Sequence, residues 1–219
     1  MNDYNILYNN PELNSIIDSI NEINTDYWLC HGRYHTMFVI EIVEYILTAL
    51  GYDSRTVELG KIAALLHDIG NIRGREHHAH SSAEMCAEFL DKISLTRKEK
   101  KLIIKSIDGH SDIDRTNIPI GAALPLADKM DISKNRVLLR DFNDELHANF
   151  KEINYVGINI ANGVATICYN VTGAFDINLF TRKLPKVVLL PAKAVEYLGC
   201  RCRYQVNGVD TDMVSLCST

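Results

Sequence analysis

The sequence predicts a mainly α-helical protein with a small C-terminal α+β region. Apolar residues recur at helical spacing through the first 150 residues. From about residue 151 the chain alternates between apolar and polar residues and is rich in β-branched and aromatic side chains. The charge changes at the same point: residues 1–150 carry 16 basic and 23 acidic side chains, whereas residues 151–219 carry 7 and 5. We therefore predict a helical domain over 1–150 and a small α+β domain over 151–219.

Capping signals and apolar stripes indicate six helices in the first 150 residues. A capping side chain satisfies backbone N–H groups that have no partner within the helix, and a Ser/Thr-x-x-Glu box does so reciprocally. Asn10-Pro11 begins the first helix, the apolar stripe of His35, Val39, Ile42 and Ile46 marks the second, and Ser54 caps the third. The boxes Ser81-x-x-Glu84 and Thr96-x-x-Glu99 begin the fourth and fifth helices. The sixth begins near Pro119 and runs to Asp128.

The predicted α+β domain over residues 151–219, called the tail below, contains signals for both strands and a helix. The alternation between residues 153 and 180 is broken by Asn162-Gly163, a pair typical of a two-residue β-hairpin turn. A short helix is predicted over residues 191–199, and residues 200–208 are typical of a closing strand. We interpret Cys200-x-Cys202 as strand alternation rather than as a metal clip.

The composition argues against several classes of protein. With a net charge of −5 in 219 residues, a general nucleic-acid or anionic-membrane binder is not expected, because phosphate surfaces require clustered Lys and Arg. The start, MNDYNILYNN, is not typical of a signal peptide, and no run approaches the roughly 20 apolar residues of a membrane helix. The six cysteines lack a CxxC pair, so we expect reduced thiols and a cytoplasmic protein.

In the stretch KIAALLHDIGN an apolar helix runs into His67 and Asp68 and stops at Gly70. Adjacent helical side chains diverge by roughly 100°, so these two reach a common point only beside the backbone at a helix end. A metal centre fits, because one carboxylate can bridge two ions while the neighbouring imidazole binds one. Asp68 could instead simply end the helix. The macrodipole, however, disfavours an acid at a helix C-terminus, so this acid needs a positive partner.

Further histidines and an acid lie at helix ends or on inward faces. Each has a structural alternative: His35 could be a hydrogen-bonded core residue, and the group His77, His78 and His80 could be solvated. Together they supply, on successive helices, the imidazole and carboxylate ligands that suit a borderline divalent metal. In chain order the set is His35, His67, Asp68, a histidine of the group at 77, 78 and 80, His110 and Asp128.

Four local contexts make the chain resemble the HD-domain superfamily of metal-dependent phosphohydrolases, over roughly residues 30 to 135. RYHTMFV resembles the first motif, Arg-x-His-Ser/Thr before an apolar residue, which points to His35 rather than His31. ALLHDIGN resembles the motif that names the family. HAHSSAE resembles the two-metal branch, in which a histidine is followed four residues later by a small residue and Ala-Glu, and this selects His78. ADKMD resembles the last motif, with Asp128.

The resemblance implies a helical bundle that holds two divalent metal ions. A two-ion site generates a hydroxide at neutral pH and stabilises the oxygens of an in-line phosphoryl displacement, so the implied nucleophile is a hydroxide bridging the metals. Imidazole and carboxylate ligands suit Fe, Mn, Zn, Co or Ni, and the sequence leaves the metal open. The implied ligands are His35, His67, Asp68 and Asp128 for one ion, with Asp68 bridging to a second ion held by His78 and His110.

The phosphate of a substrate also needs cations to neutralise its charge. Lys129 resembles the lysine of the family's ADK motif, and we predict a catalytic role for it beside Asp68 as well as substrate binding. Arg73 and Arg75 follow the His-Asp motif and are substrate-binding candidates, and Arg136 is nearby. For all these arginines a solvated side chain is the alternative that the sequence favours.

Two departures from the family pattern reduce the range of expected substrates. Asn71 stands where the family often has Lys or Arg, and the Gly-Tyr-Pro of the cyclic-di-GMP phosphodiesterases is absent. The two-histidine insert and the ADK ending look more like bacterial HD hydrolases that cut dinucleoside tetraphosphates or nucleotides. We expect a phosphohydrolase acting on a nucleotide, a dinucleoside polyphosphate or another small phosphate ester.

Two other classes of function stay open. The same ligands could hold two iron ions that activate oxygen, as in some HD-fold oxygenases. They could also serve a regulatory metal- or nucleotide-binding protein without turnover, with the tail as its effector. A complete ligand set argues against the regulatory class, because a protein without chemistry has no need of all six. The tail could bind substrate, form a homodimer or contact a partner, and the sequence does not discriminate among these.

Overall fold

Helices make up most of the chain that the computed structural model describes, namely residues 2–23, 29–111, 118–137 and 144–217. None of the helices in these ranges is both long and apolar enough to span a bilayer. In chain order they are α1 (Asp3–Tyr8), α2 (Pro11–Ile23), α3 (Arg33–Ala49), α4 (Ser54–Leu66), α5 (His78–Leu90), α6 (Arg97–Asp108), α7 (Pro119–Met130), α8 (Glu145–Lys151), α9 (Ile177–Lys183), α10 (Pro185–Tyr197) and α11 (Met213–Leu216), with short 3-10 helices at Ile69–Arg73 and Lys134–Arg136.

Most of the predicted helix starts are confirmed. The Asn10 side chain accepts a backbone N–H at 3.0 Å before α2, and the Thr96/Glu99 capping box forms at the start of α6. The predicted cap of α4 is wrong by one residue. Asp53 rather than Ser54 is the cap, because its carboxylate accepts two backbone N–H groups, each at 3.0 Å.

The predicted capping box at Ser81 and Glu84 is wrong. Helix α5 begins earlier, at His78, and the Ser81 N–H already donates to the His77 carbonyl at 3.0 Å. Ser81 is therefore inside the helix and cannot cap it. The early start places His78 in the first turn of α5, within reach of the residues that follow α4.

The tail forms a four-stranded sheet in which the strands lie side by side in chain order. Its first two strands are antiparallel and joined by Asn162 and Gly163, whose φ angles of 52° and 72° are those of a type I′ turn, so the predicted hairpin is confirmed. The third strand is parallel to the second and antiparallel to the fourth. The strands are β1 (Ile153–Ala161), β2 (Val164–Val171), β3 (Arg201–Val206) and β4 (Val209–Asp210).

Two predicted boundaries in the tail are wrong. The alternation assigned to residue 180 ends in α9, because the Asp176 carboxylate accepts two backbone N–H groups and starts a helix. Helix α10 begins at Pro185 rather than Pro191, and Pro191 lies buried within it, where it removes one backbone hydrogen bond without ending the helix. The predicted fold class, mainly helical with a small α+β region, is confirmed. The division into two domains near residue 151 stays a prediction.

Helices α3, α4 and α7 pack together in the apolar core, and α7 also packs against α10 of the tail. Gly60 lets α3 and α4 approach closely: a Cβ there would lie 2.5 Å from Leu47 Cδ1 and 3.0 Å from Val43 Cγ1. The ends of these packed helices position the side chains of the predicted metal site.

Candidate metal centre

The six predicted metal ligands lie together in one cluster. All are buried except His78, which is partly buried. Because they come from five different helices or the residues that follow them, the cluster depends on the packing of the whole bundle. They are His35 in α3, His67 and Asp68 directly after α4, His78 at the start of α5, His110 after α6, and Asp128 in α7.

The first half of the cluster joins His35, His67 and Asp128. The Nε2 atom of His35 lies 3.3 Å from His67 Nε2 and 3.2 Å from Asp128 Oδ1. Donor atoms of these three residues all lie within 4.8 Å of one another, close enough to hold one metal ion. Asp68 Oδ2 adjoins them, 3.5 Å from His35 Nε2 and 3.6 Å from His67 Nε2.

The second half of the cluster joins His78 and His110. Their Nε2 atoms lie 3.2 Å apart, and the other oxygen of Asp68, Oδ1, lies 3.5 Å from His78 Nε2 and 3.8 Å from His110 Nε2. The two oxygens of the Asp68 carboxylate therefore face different halves. A carboxylate placed in this way can contribute one oxygen to each of two metal positions.

Hydrogen bonds at Nδ1 orient all four imidazoles. In His67, His78 and His110, Nδ1 donates to the backbone carbonyl three residues earlier, at 2.8, 3.2 and 2.6 Å, and His35 Nδ1 donates to Asp131 Oδ2 at 2.7 Å. A carbonyl only accepts, so Nδ1 carries the proton and Nε2 of the neutral ring has a lone pair. The Nε2 lone pairs of His78 and His110 face each other at 3.2 Å and repel unless a cation lies between them. The donor set therefore fits divalent transition metal ions.

Burial keeps most of these rings neutral and their partner acid ionised. It lowers the pKa of His110 to about 3 and that of His78 to about 4, and it lowers the pKa of His67 despite the nearby Asp68. Burial alone would raise the pKa of Asp68, but His67 and a hydrogen bond with His31 hold it well below its ordinary value. Neutral imidazole and ionised carboxylate are the forms that bind metals.

The HD domain family model matches residues 32–149, more than half of the chain. The chain belongs to the HD domain family. Among solved structures it is similar to the crystal structure of a predicted HD superfamily hydrolase from an uncultured Thermotogales bacterium. The two share 28% identity, with 61% of this chain and 75% of that chain covered and a TM-score of 0.45. No curated protein matches. Family membership and the His/Asp cluster together indicate a metal-dependent hydrolase.

The HD domain places two of the three predicted phosphate-binding cations beside the cluster. Lys129 Nζ lies 2.5 Å from Asp128 Oδ2, and Arg75 Nη1 lies 3.9 Å from Asp68 Oδ1. Arg73 instead pairs at 3.3 Å with a glutamate of α5, where both side chains are more than half exposed. Arg73 is thus a surface residue in this structure, as the solvated alternative predicted.

Asn71, where the HD family often has a cation, connects Arg75 to the cluster. Its side-chain amide donates to the Asp68 carbonyl at 2.9 Å, and its Oδ1 accepts from Arg75 Nη1 at 3.0 Å. Asn71 is fully buried. The asparagine therefore orients a cation from four residues further along the chain instead of supplying one itself.

Three further buried residues belong to this site and are not among the site residues that the sequence predicted. Nδ1 of His31, passed over in favour of His35, lies 2.8 Å from Asp68 Oδ2. Asp131 accepts from His35, and Arg136 is only 4% exposed, which contradicts its solvated interpretation. His31 lies before α3 begins, so helical spacing does not link it to His35, and no local spacing marks Arg136.

Gly70 of the HDIG motif sets the spacing between the two halves of the cluster. Its N–H donates to Ser82 Oγ at 2.8 Å. A Cβ at this position would lie 2.3 Å from the Ser82 nitrogen and 2.5 Å from the His78 carbonyl oxygen. Glycine is therefore required for the residues after Asp68 to pack against the first turn of α5.

Substitution of Asp131 by asparagine is expected to weaken metal binding about 10- to 100-fold. The amide oxygen can still accept from His35 Nδ1, but the negative charge that makes this imidazole a stronger ligand is lost. Competition with a chromophoric chelator measures the affinity. Asp91→Asn, whose side chain is 75% exposed at the end of α5, is the control. Equal affinities in the two variants would refute this role of Asp131.

Proposed function

We propose that this protein is a phosphohydrolase that uses two divalent metal ions to cleave a small phosphate ester, with nucleotides and dinucleoside polyphosphates as the favoured substrates. The observation that carries the proposal is the position of the Asp68 carboxylate, whose oxygens face two separate pairs of histidine nitrogens. Two metals joined by one carboxylate suit an in-line displacement at phosphorus.

The residues would divide between the two ions as the family pattern implies. When bound, such ions lower the pKa of a water molecule to about 7 and stabilise negative charge on phosphoryl oxygens. The chain contributes by orienting each imidazole through Nδ1 and by burying the ligands. In this proposal His35, His67 and Asp128 hold one ion, His78 and His110 the other, and Asp68 both.

Lys129 and Arg75 are two cations beside the cluster that could receive the phosphate of a substrate. Their side chains are 18% and 29% exposed, whereas Asp68 behind them is 3% exposed, so they form the accessible rim of the cluster. Each lies near a carboxylate, and a phosphate oxygen can accept the same charge-assisted hydrogen bonds. We propose that both cations bind the substrate.

We also propose a cytoplasmic location and a small-molecule substrate. The six cysteines are free thiols, which suits a reducing compartment. The imidazole and carboxylate donors are compatible with Fe, Mn, Zn, Co or Ni.

Protein purified without chelator is expected to contain about two metal ions per chain and to release phosphate from at least one ester when Mn, Co, Ni or Fe is supplied. His78→Ala should lower the content from about two ions to about one, because His78 faces only the second half of the cluster. Elemental analysis and a phosphate-release assay over a nucleotide panel measure both quantities.

His80→Ala is the matched control, since His80 lies in the same helix with its side chain 68% exposed and should be dispensable for both ions. Full metal content in His78→Ala would refute the two-ion assignment. Two iron ions without hydrolysis would favour an oxygenase, and absence of both metal and turnover would favour a binding protein.

A further inference from the structure

Arg136 is a buried cation whose orientation is fixed by the backbone. Nε donates to the Cys30 carbonyl at 3.0 Å, and Nη1 donates to the Asp131 carbonyl at 2.7 Å. The Cys30 N–H in turn donates to the Arg136 carbonyl at 2.8 Å. Two of its nitrogens thus donate to neutral carbonyls, and the Asp131 carboxylate that lies 3.6 Å from Nε also accepts from His35.

The remaining nitrogen of Arg136, Nη2, faces ring nitrogens of the metal cluster. It lies 3.1 Å from His31 Nδ1 and 3.4 Å from His35 Nε2. His31 Nδ1 also lies 2.8 Å from Asp68 Oδ2, so this one atom either accepts from Arg136 or donates to Asp68, but not both. A lone pair of His35 Nε2 that holds a metal cannot also accept a hydrogen bond. Nη2 carries two N–H groups, and His31 Nδ1 can accept only one of them, so with His35 bound to a metal the other N–H has no acceptor among these ring nitrogens.

The charges around the cluster balance before any metal is counted. Two divalent ions would add four positive charges, and a buried site with that excess requires an anion carrying several negative charges. A terminal phosphate supplies two charges and a phosphodiester supplies one. Among the described residues, the three negative charges of Asp68, Asp128 and Asp131 are matched by the three positive charges of Lys129, Arg75 and Arg136.

We infer that Arg136 is a substrate-binding residue that donates from Nη2 to a non-bridging oxygen of the reacting phosphate. We also infer that it favours a terminal, doubly charged phosphomonoester over a phosphodiester. This inference rests on the proposed function and narrows its substrates to phosphomonoesters such as nucleotides, because a dinucleoside polyphosphate has no terminal phosphate. An arginine suits the task because its planar, permanently charged guanidinium keeps two nitrogens on the backbone while the third binds the anion.

Titration calorimetry on the metal-loaded protein tests the inference, with inorganic phosphate as the dianionic probe and dimethyl phosphate as the monoanionic probe. Arg136→Gln is expected to weaken phosphate binding about tenfold or more and to change dimethyl phosphate binding less than about threefold. Its metal content should equal that of the wild type. Arg136→Lys keeps the positive charge without the planar guanidinium and should lose less phosphate affinity than Arg136→Gln. If Arg136→Gln is unstable, the phosphate affinity of Arg136→Lys tests the inference instead. Arg203→Gln is the control, because the Arg203 side chain on β3 is 48% exposed.

Phosphate affinity within about twofold of the wild type in the Arg136 variants, with metals retained, would overturn the inference. Loss of metal from the variants would also overturn it, because Arg136 would then support the ligands rather than the substrate. Turnover enters none of these measurements. Wild-type protein that binds phosphate through Arg136 but hydrolyses no ester would refute the proposed hydrolysis and leave this inference standing.

Discussion

Asp68→Ala is expected to remove both metal ions together and to reduce turnover to that of metal-free protein. The reason is that Oδ2 faces His35 and His67 while Oδ1 faces His78 and His110, so one truncation removes a ligand from each half. Elemental analysis should show a fall from about two ions per chain to well below one. The same samples, assayed for phosphate release, link metal content to activity.

Asp91→Ala serves as the control for this loss, because it removes an exposed carboxylate that pairs with Lys100 at 2.6 Å on the surface. Its metal content should match the wild type. An Asp68→Ala protein that kept one ion at full occupancy would show that Asp68 belongs to one half of the cluster only. That result would contradict the shared position of its carboxylate.

Gly70→Ala is expected to lower the free energy of unfolding by about 1–3 kcal/mol and to weaken the second metal position in particular. The added Cβ would lie 2.3 Å from the Ser82 nitrogen and 2.5 Å from the His78 carbonyl oxygen. Both are backbone atoms of α5, so the helix start must shift as a unit and take the His78 ring with it. Urea unfolding and metal analysis measure the two effects.

Gly157→Ala provides the comparison for the methyl group itself, because a Cβ there has no heavy atom within 4 Å. It should be neutral or slightly stabilising within a strand. Gly70→Ala with unchanged stability and two bound ions would show that α5 tolerates the displacement. Gly70 would then have no part in setting the distance between Asp68 and His78.

Local signals in the sequence were sufficient for most of the architecture. The Thr96/Glu99 box and the Asn162-Gly163 turn are decided by residues adjacent in the chain, and both formed as predicted. The errors arose where neighbouring residues competed for the same role. Asp53 rather than Ser54 caps α4, and α5 begins at His78, three residues before the predicted capping box at Ser81.

Sequence motifs predicted the proposed metal ligands and the cations next to them, but not the remaining residues of the candidate site. The His and Asp residues of the helix ends lie together as their motifs imply, and Lys129 and Arg75 adjoin them. The contacts of Arg136 with Cys30 and His31 span more than 100 residues of chain. Such contacts depend on the tertiary packing of the segment after α2 against the segment after α7, which no local sequence pattern predicts.

The packing of α10 against α7 couples the C-terminal region to the helix that carries two residues of the candidate site. Helix α7 carries Asp128 and Lys129 and is buried along nearly its whole length. Substitutions on the apolar face of α10 that disturb this packing should therefore displace the ligand end of α7. A transplant of the helical portion onto another protein would need a replacement cover for α7.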